Sequence, residues 1–375
     1  MNEIELLKKL IQIPSYSGDE KKLADFIVDY CAKNNISATI LEGNVIIHLK
    51  GKDRSKTVIF NAHLDTVNLG NRSKWKYSPI GKSAGKLKDG KLYGLGASDD
   101  KGALVSMLLL AKNLKNASCD VWFTFVCNEE IDGSGTLNFL KWFIKLEQFH
   151  FYKELAVIIG EPTDLKTLEI GHRGNVFAKI TVHGNSCHSA LKYSDRKLVV
   201  LKGMKIVELI NKRLITWEKI YYDSLLGFPT INITQINTDN NFDNKLPDQC
   251  TIRMDIRTTP KFHNLIDKLL KETIGTLGVV TYAQKKVSPG FISSDHRIVA
   301  LWKKIIPDVN LSISFGSTDQ ALFLRNGIPA VVFGPGCKKT MHKENEYIYI
   351  ANIRKAASLY HKFILSFSKD VKTAI

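Results

Sequence analysis

Five stretches of this chain end on side chains that bind divalent metals: His63 with Asp65, Asp99, the adjacent pair Glu129 and Glu130, Glu161, and His342. Imidazole nitrogens and carboxylate oxygens without thiolates are the donor set of open, catalytic zinc sites, not of closed structural ones. Asp99, in Leu95-Gly-Ala-Ser-Asp-Asp-Lys-Gly102, is read as a carboxylate shared by two metal ions. Along an extended chain, residues i and i+2 share a face. His63 and Asp65 therefore point the same way, which suits a ligand imidazole whose second nitrogen is held by a carboxylate. Two adjacent glutamates on a sharp turn diverge, so that one can bind metal while the other overhangs a water. The chemistry implied is metal-assisted hydrolysis.

Such side chains need elements to carry them. Apolar strands are expected at Thr57–Ala62, Val121–Cys127, Leu155–Ile159 and Ala330–Phe333. The first three run directly into His63, Glu129-Glu130 and Glu161, and the fourth leads through Gly334-Pro-Gly-Cys to His342. Helical patterns at Gly102–Leu114 and Gly135–Leu146 alternate with them. That alternation predicts an α/β fold, a mostly parallel mixed sheet with helices on both faces. In such sheets the working residues collect at the carboxyl ends of strands. Gly94-Leu-Gly-Ala-Ser-Asp99 imitates a dinucleotide fingerprint, but Asp99 stands where the third glycine is needed, which argues against a nucleotide site. Upstream, a helix over Asn2–Ile13 stops at Pro14, and Ser17 with Glu20 has the spacing of a capping box opening a second helix.

After Gly171 the texture changes. Asn175–His183, Thr230–Ile236, Thr251–Arg257 and Val279–Ala283 read as strands, and Lys197–Arg213 and Phe262–Thr276 as helices. The order β-α-β-β-α-β is ferredoxin-like. The expected organisation is a di-metal domain over 1–171, an inserted α+β lid or dimerisation domain over 172–285, and the remainder of the first domain over 286–375.

Composition sets the frame. A chain of 375 residues exceeds one ordinary core. The apolar run Ala103–Ala111 is too short to span a membrane, and the acidic start Met1-Asn-Glu-Ile-Glu is no secretory signal, so a cytoplasmic protein is expected. Six cysteines without a CxxC spacing point to free thiols. The net charge of +16 raises nucleic-acid binding as a rival, but the basic residues fall in scattered pairs such as Lys285-Lys286 and Lys303-Lys304. They read as a solvated lysine-rich surface with a bias towards anionic substrates.

On these residues the chain resembles the co-catalytic di-zinc amidohydrolases and exopeptidases, a family that includes acetylornithine deacetylase, succinyl-diaminopimelate desuccinylase, aminoacylase and glutamate carboxypeptidase. The resemblance runs in order through Ile13-Pro-Ser-Tyr-Ser-Gly18, His63-Leu-Asp65, Asp99-Asp-Lys-Gly102, Glu129-Glu130, Gly160-Glu-Pro162, Gly184-x-x-x-His188-Ser, Asp255-Ile-Arg257 and His342-x-x-Asn-Glu346. It implies two zinc ions per subunit, one on His63, Asp99 and Glu161 and the other on Asp99, Glu130 and His342. Cobalt or manganese would suit the same donors. Asp65 would orient His63, Glu129 would be the general base and acid, and a cis peptide would follow Asp99. His188 would reach a neighbouring subunit's site and help hold the oxyanion, which implies a homodimer through the inserted domain. Arg257 and Asn244 match family positions that touch the substrate, and Arg173 and Thr318 with Asp319 would be further specificity candidates. The Gly-Gly usual before the Asn-x-x-Pro segment is absent, with Thr238-Asp-Asn-Asn in its place.

The expected activity is hydrolysis of an N-acyl amino acid of the acetylornithine or succinyl-diaminopimelate type. A di- or tripeptide exopeptidase is the alternative on the same fold. A basic nucleic-acid-binding protein that has lost catalysis is disfavoured, because all five ligand positions and the base are filled. No nucleic acid and no membrane is expected among the partners.

Overall fold

The computed structural model describes residues 1–191, 198–283, 286–314 and 316–369. The chain forms two compact units, one of Met1–Ile170, Ile292–Ser312 and Thr318–Ile375, the other of Gly171–Phe291 with Ile313–Ser317. The start of the expected helix at Lys197 and the expected domain end at Lys285 lie outside the described residues.

The first unit is built on a mixed sheet. Four neighbouring strands, Cys119–Val126, Asp53–His63, Glu154–Pro162 and Ala330–Gly334, run parallel in that spatial order. The hairpin Ala38–Leu41/Asn44–Leu49 joins one side antiparallel, and Thr167–His172 joins the other. Cys119–Val126 is buried at every position, as a central strand covered on both faces must be. Adjacent residues of Asp53–His63 show the two faces. Ile59 packs with Trp122, Phe139 and Phe143, while Phe60 meets Tyr360 on the other side. Helix Ser134–Phe143 covers the first face. The second is covered by Ile350–Phe367, which brings Phe363 onto Trp302 of helix Arg297–Ile305, and by the almost wholly buried helix Lys101–Asn113. Two glycines allow this closeness. A Cβ on Gly102 would lie 2.3 Å from Ile348 Cδ1, and one on Gly334 would lie 1.6 Å from the Gly160 carbonyl oxygen.

One local expectation is corrected. The second helix spans Lys21–Lys33 without a side-chain cap, so Ser17 and Glu20 form no capping box. The Ser17 hydroxyl donates instead to Asp65, and the Glu20 carboxylate accepts from the Asn128 amide. Both residues serve the loops above the sheet.

The second unit carries a βαββαβ order: strand Gly174–His183, helix Val199–Ile220, strands Thr230–Thr238 and Gln249–Thr258, helix Pro260–Ile274 and strand Val279–Tyr282. The four strands form one antiparallel sheet in the spatial order second, third, first, fourth. The first helix runs on to Ile220, past the expected end at Arg213, because Trp217 is buried against Phe262 of the second helix. Among the described residues no helix is long and apolar enough to cross a membrane.

Candidate metal centre

The four central parallel strands all point their carboxyl ends at one place. His63 is the last residue of its strand, Glu161 lies one residue from the end of its own, Glu129 and Glu130 follow Cys119–Val126, and the segment after Ala330–Gly334 leads to His342. Asp99 comes from the turn before helix Lys101–Asn113 and is joined to Asp100 by a cis peptide.

Asp99 is the centre of the arrangement. Its Oδ1 lies 2.9 Å from His63 Nε2 and its Oδ2 lies 3.1 Å from His342 Nε2. Each histidine has a second carboxylate beside it, Glu161 at 3.7 Å from His63 and Glu130 at 2.9 Å from His342. The donors thus divide into two sets that share Asp99. Ligand-type atoms of His63, Glu129 and Glu161 also lie within 4.8 Å of one another, as do those of His63, Asp99 and Glu130.

Asp65 is buried beneath this cluster. His63 Nδ1 finds its nearest acceptor in the Asp65 backbone carbonyl at 2.9 Å, with the Asp65 carboxylate at 3.5 Å. That carboxylate accepts the amides of Glu129 and Glu130, each at 3.1 Å, and the Ser17 hydroxyl at 2.7 Å. Asp65 therefore fixes the turn that bears both glutamates as well as the imidazole plane.

The electrostatics are those of an acid cluster short of cations. Burial drives the Glu161 carboxyl well above its usual range, and Asp99 and Glu129 add to it. Burial likewise raises Glu129, helped by Asp319, Glu130 and Asp99. Burial opposes a charge on His63, yet the Asp65 and Asp99 carboxylates outweigh it and lift its pKa well above the ordinary value. Asp99 and Glu130 lift the half-exposed His342 to about 10. Asp99, also against burial, is held far below the carboxylate range by the two histidines. Among the described residues no lysine or arginine pairs with Asp99, Glu130 or Glu161; buried Lys101 donates instead to the carbonyls of Leu10 and Ile13. Carboxylates packed without cations are costly. Two divalent ions against three carboxylates and a hydroxide would make a neutral cluster. The residues present therefore fit a pair of metal ions.

The comparison with known proteins agrees with this geometry. Residues 59–366 match the profile described as Peptidase family M20/M25/M40. The chain belongs to that family. It is a hydrolase of the M20 group, whose members are amidohydrolases and metallopeptidases. It is 27% identical to the acetylornithine deacetylase of Buchnera aphidicola subsp. Schizaphis graminum, over 97% of each chain. It is 28% identical to the succinyl-diaminopimelate desuccinylase of Orientia tsutsugamushi strain Boryong, covering 98% of this chain and 97% of that one. In fold it is similar to the M20 metallo-carboxypeptidase Sso-CP2 of Sulfolobus solfataricus, with a TM-score of 0.75 at 20% identity, covering 98% of this chain and 100% of that one.

Other expected site residues of this M20 hydrolase lie in the second unit. The strand pair Cys187–His188/Lys245–Leu246 sets His188 opposite Lys245, and the carbonyl of the preceding Asn244 accepts the Ser189 amide. Arg257 grips Asp255 through both Nε and a terminal nitrogen, and Arg173 donates to the Phe228 carbonyl. Burial and the neighbouring Arg257 charge both depress Arg173. Thr318 belongs to the first unit, where its hydroxyl accepts the Gln320 amide.

Two residues carry more than the sequence suggested. Asp319 was grouped with specificity candidates, but it is buried, accepts the Thr136 hydroxyl at 2.6 Å, and is pushed up to about 7 chiefly by burial. Glu346 was only the last letter of a motif. It is buried, accepts three backbone amides, and burial with the Asp99 charge pushes it up to about 8. Its spacing of four from His342 is the one signal that marked it.

Proposed function

We propose that the protein is a two-metal amidohydrolase that cleaves the amide bond of an anionic N-acyl amino acid, releasing a carboxylate and a free amine. The observation that carries the reading is Asp99, which presents one oxygen to His63 and the other to His342, each histidine with its own second carboxylate. His63, Asp99 and Glu161 would hold one zinc ion, and Asp99, Glu130 and His342 the other. Metal ions held there would polarise the scissile carbonyl and acidify water.

The remaining steps belong to the chain's own side chains. Glu129 accepts the proton of the attacking water and returns it to the leaving amine. Asp65 keeps Glu129 and Glu130 apart by holding both their amides. His188 steadies the oxyanion of the tetrahedral species, reaching across a homodimer. Arg257, Arg173, Asn244 and Thr318 recognise the substrate, the arginines by pairing with carboxylate. The relatives named deacetylase and desuccinylase, aligned over nearly the whole chain, support this substrate class. The second unit supports the homodimer: Thr230–Thr238 is an outer strand of its sheet, and Ile236, Met204 and Ile215 are 55%, 63% and 62% exposed.

The test is amine release from acetyl-ornithine, succinyl-diaminopimelate, other acyl-amino acids and a dipeptide panel, with zinc, cobalt or manganese supplied. Preferential hydrolysis of an acyl-amino acid is expected. Turnover of dipeptides alone would move the assignment to an exopeptidase, as the likeness to a metallo-carboxypeptidase allows. Inertness towards every substrate with every metal would overturn the reading.

A further inference from the structure

Asp99, Glu130 and His342, the residues proposed for the second metal position, stand on three separate loops. Asp99 stands on the turn Gly96–Asp100, and His342 on the segment between Gly334 and Tyr347. His342 has a left-handed backbone (φ 56°) and a half-exposed side chain, so neither a strand nor its own packing fixes it. What joins the loops of Asp99 and His342 is Glu346. Its Oε1 accepts the amides of Ser98 at 2.7 Å and Asp99 at 3.0 Å, and its Oε2 accepts the Gly96 amide at 2.9 Å. Its own carbonyl takes the Gly94 amide at 3.0 Å. The Ser98 hydroxyl adds a bond to the Tyr347 carbonyl at 2.7 Å. A buried carboxylate that accepts three amides sits in a concave nest of main-chain donors. The first position shares Asp99 but depends less on this tie, because its other two residues, His63 and Glu161, sit on paired strands of the central sheet.

We infer that Glu346 is a positioning residue that sets the register of Asp99 against His342, and so governs how tightly the second metal ion is held. The inference rests on the two-metal reading above. Groups that orient metal ligands from behind typically change affinity by about 10–100-fold when removed. In Glu346→Gln one oxygen becomes an NH2 that faces a main-chain N–H, at unchanged volume.

The experiment titrates zinc into chelator-stripped full-length protein against a chromophoric competitor. Wild type should take up two equivalents. Glu346→Gln should weaken the second by about 10–100-fold and the first by much less. Glu346→Asp keeps a carboxyl on a shorter stem and should fall between, which also serves if the glutamine variant fails to fold. Unchanged affinities, or equal loss from both equivalents with a lowered melting temperature, would show a merely structural residue. A wild-type protein that binds fewer than two equivalents would instead refute the two-metal reading itself.

Discussion

Replacing Asp65 with asparagine tests the support of the metal centre more sharply than replacing any ligand. The carboxylate is fully buried, with Glu129 N–H and His63 Nδ1 on Oδ1 and Glu130 N–H and the Ser17 hydroxyl on Oδ2. An asparagine keeps one of these oxygens and turns the other into a donor. The better orientation places the NH2 at the Oδ2 position, because the Ser17 hydroxyl can rotate and accept. The Glu130 amide is then left facing another donor, and the Glu129 amide keeps an acceptor without a charge. Hydrogen bonds to charged groups contribute about 1.5–3 kcal/mol each, so one lost and one weakened bond cost about 3 kcal/mol. Expressed in the transition state, that is about a 100-fold fall in kcat/KM. The assay is initial-rate amine release at saturating zinc, paired with metal content. At saturating zinc the loss should appear in kcat, since the displaced turn bears the proposed base Glu129 beside Glu130. A variant within threefold of wild type would refute the claim that Asp65 fixes the Glu129-Glu130 turn. Ser17→Ala removes one of the same bonds and should cost less.

Further outcomes are expected. Glu129→Gln should keep both metal equivalents and lose about 10²–10⁴-fold in kcat, the usual worth of a positioned acid–base; retained turnover would remove Glu129 from that role. Asp99→Ala should lose both metals, and two zinc ions still present by elemental analysis would sink the shared-carboxylate reading. His188→Ala should cripple turnover without changing metal content, and an unchanged rate would argue against a part in holding the oxyanion. In chelator-stripped protein, stability should fall as pH rises from about 6.5 towards about 10, monitored by thermal unfolding. The sign follows from His342, whose raised folded pKa favours the native state below the unfolded value and loses that contribution as it deprotonates. The raised carboxyls of Glu129 and Glu161 act in the same direction, since the native state then holds protons that the unfolded chain has released. A flat or rising profile would contradict the clustering.

Much of the sheet was legible because its strands are continuous apolar runs, and each of three such runs ends on a metal-type side chain. Val121–Cys127 is readable as an apolar strand before any coordinates, and as Cys119–Val126 it is buried at every position. The ferredoxin-like order was equally plain from alternation between Gly174 and Tyr282. The capping box at Ser17 misled because the residue types needed to cap a helix are also those that bond to a distant carboxylate; Asp65, 48 residues on, took the hydroxyl. Helix Val199–Ile220 outran its pattern because burial of Trp217 depends on Phe262, a partner that local periodicity does not contain.

The chain's residue types and their order thus determined the fold class and the hydrolase family and marked out the candidate donors, since residue types and strand patterns are local properties. Tertiary structure alone decided which oxygen of Asp99 faces which histidine, that Asp65 serves the glutamate turn through its carboxylate, and that Glu346 ties two loops together. These depend on distances of a few ångströms between segments up to 250 residues apart, closed by hydrogen bonds whose partners no window of sequence contains.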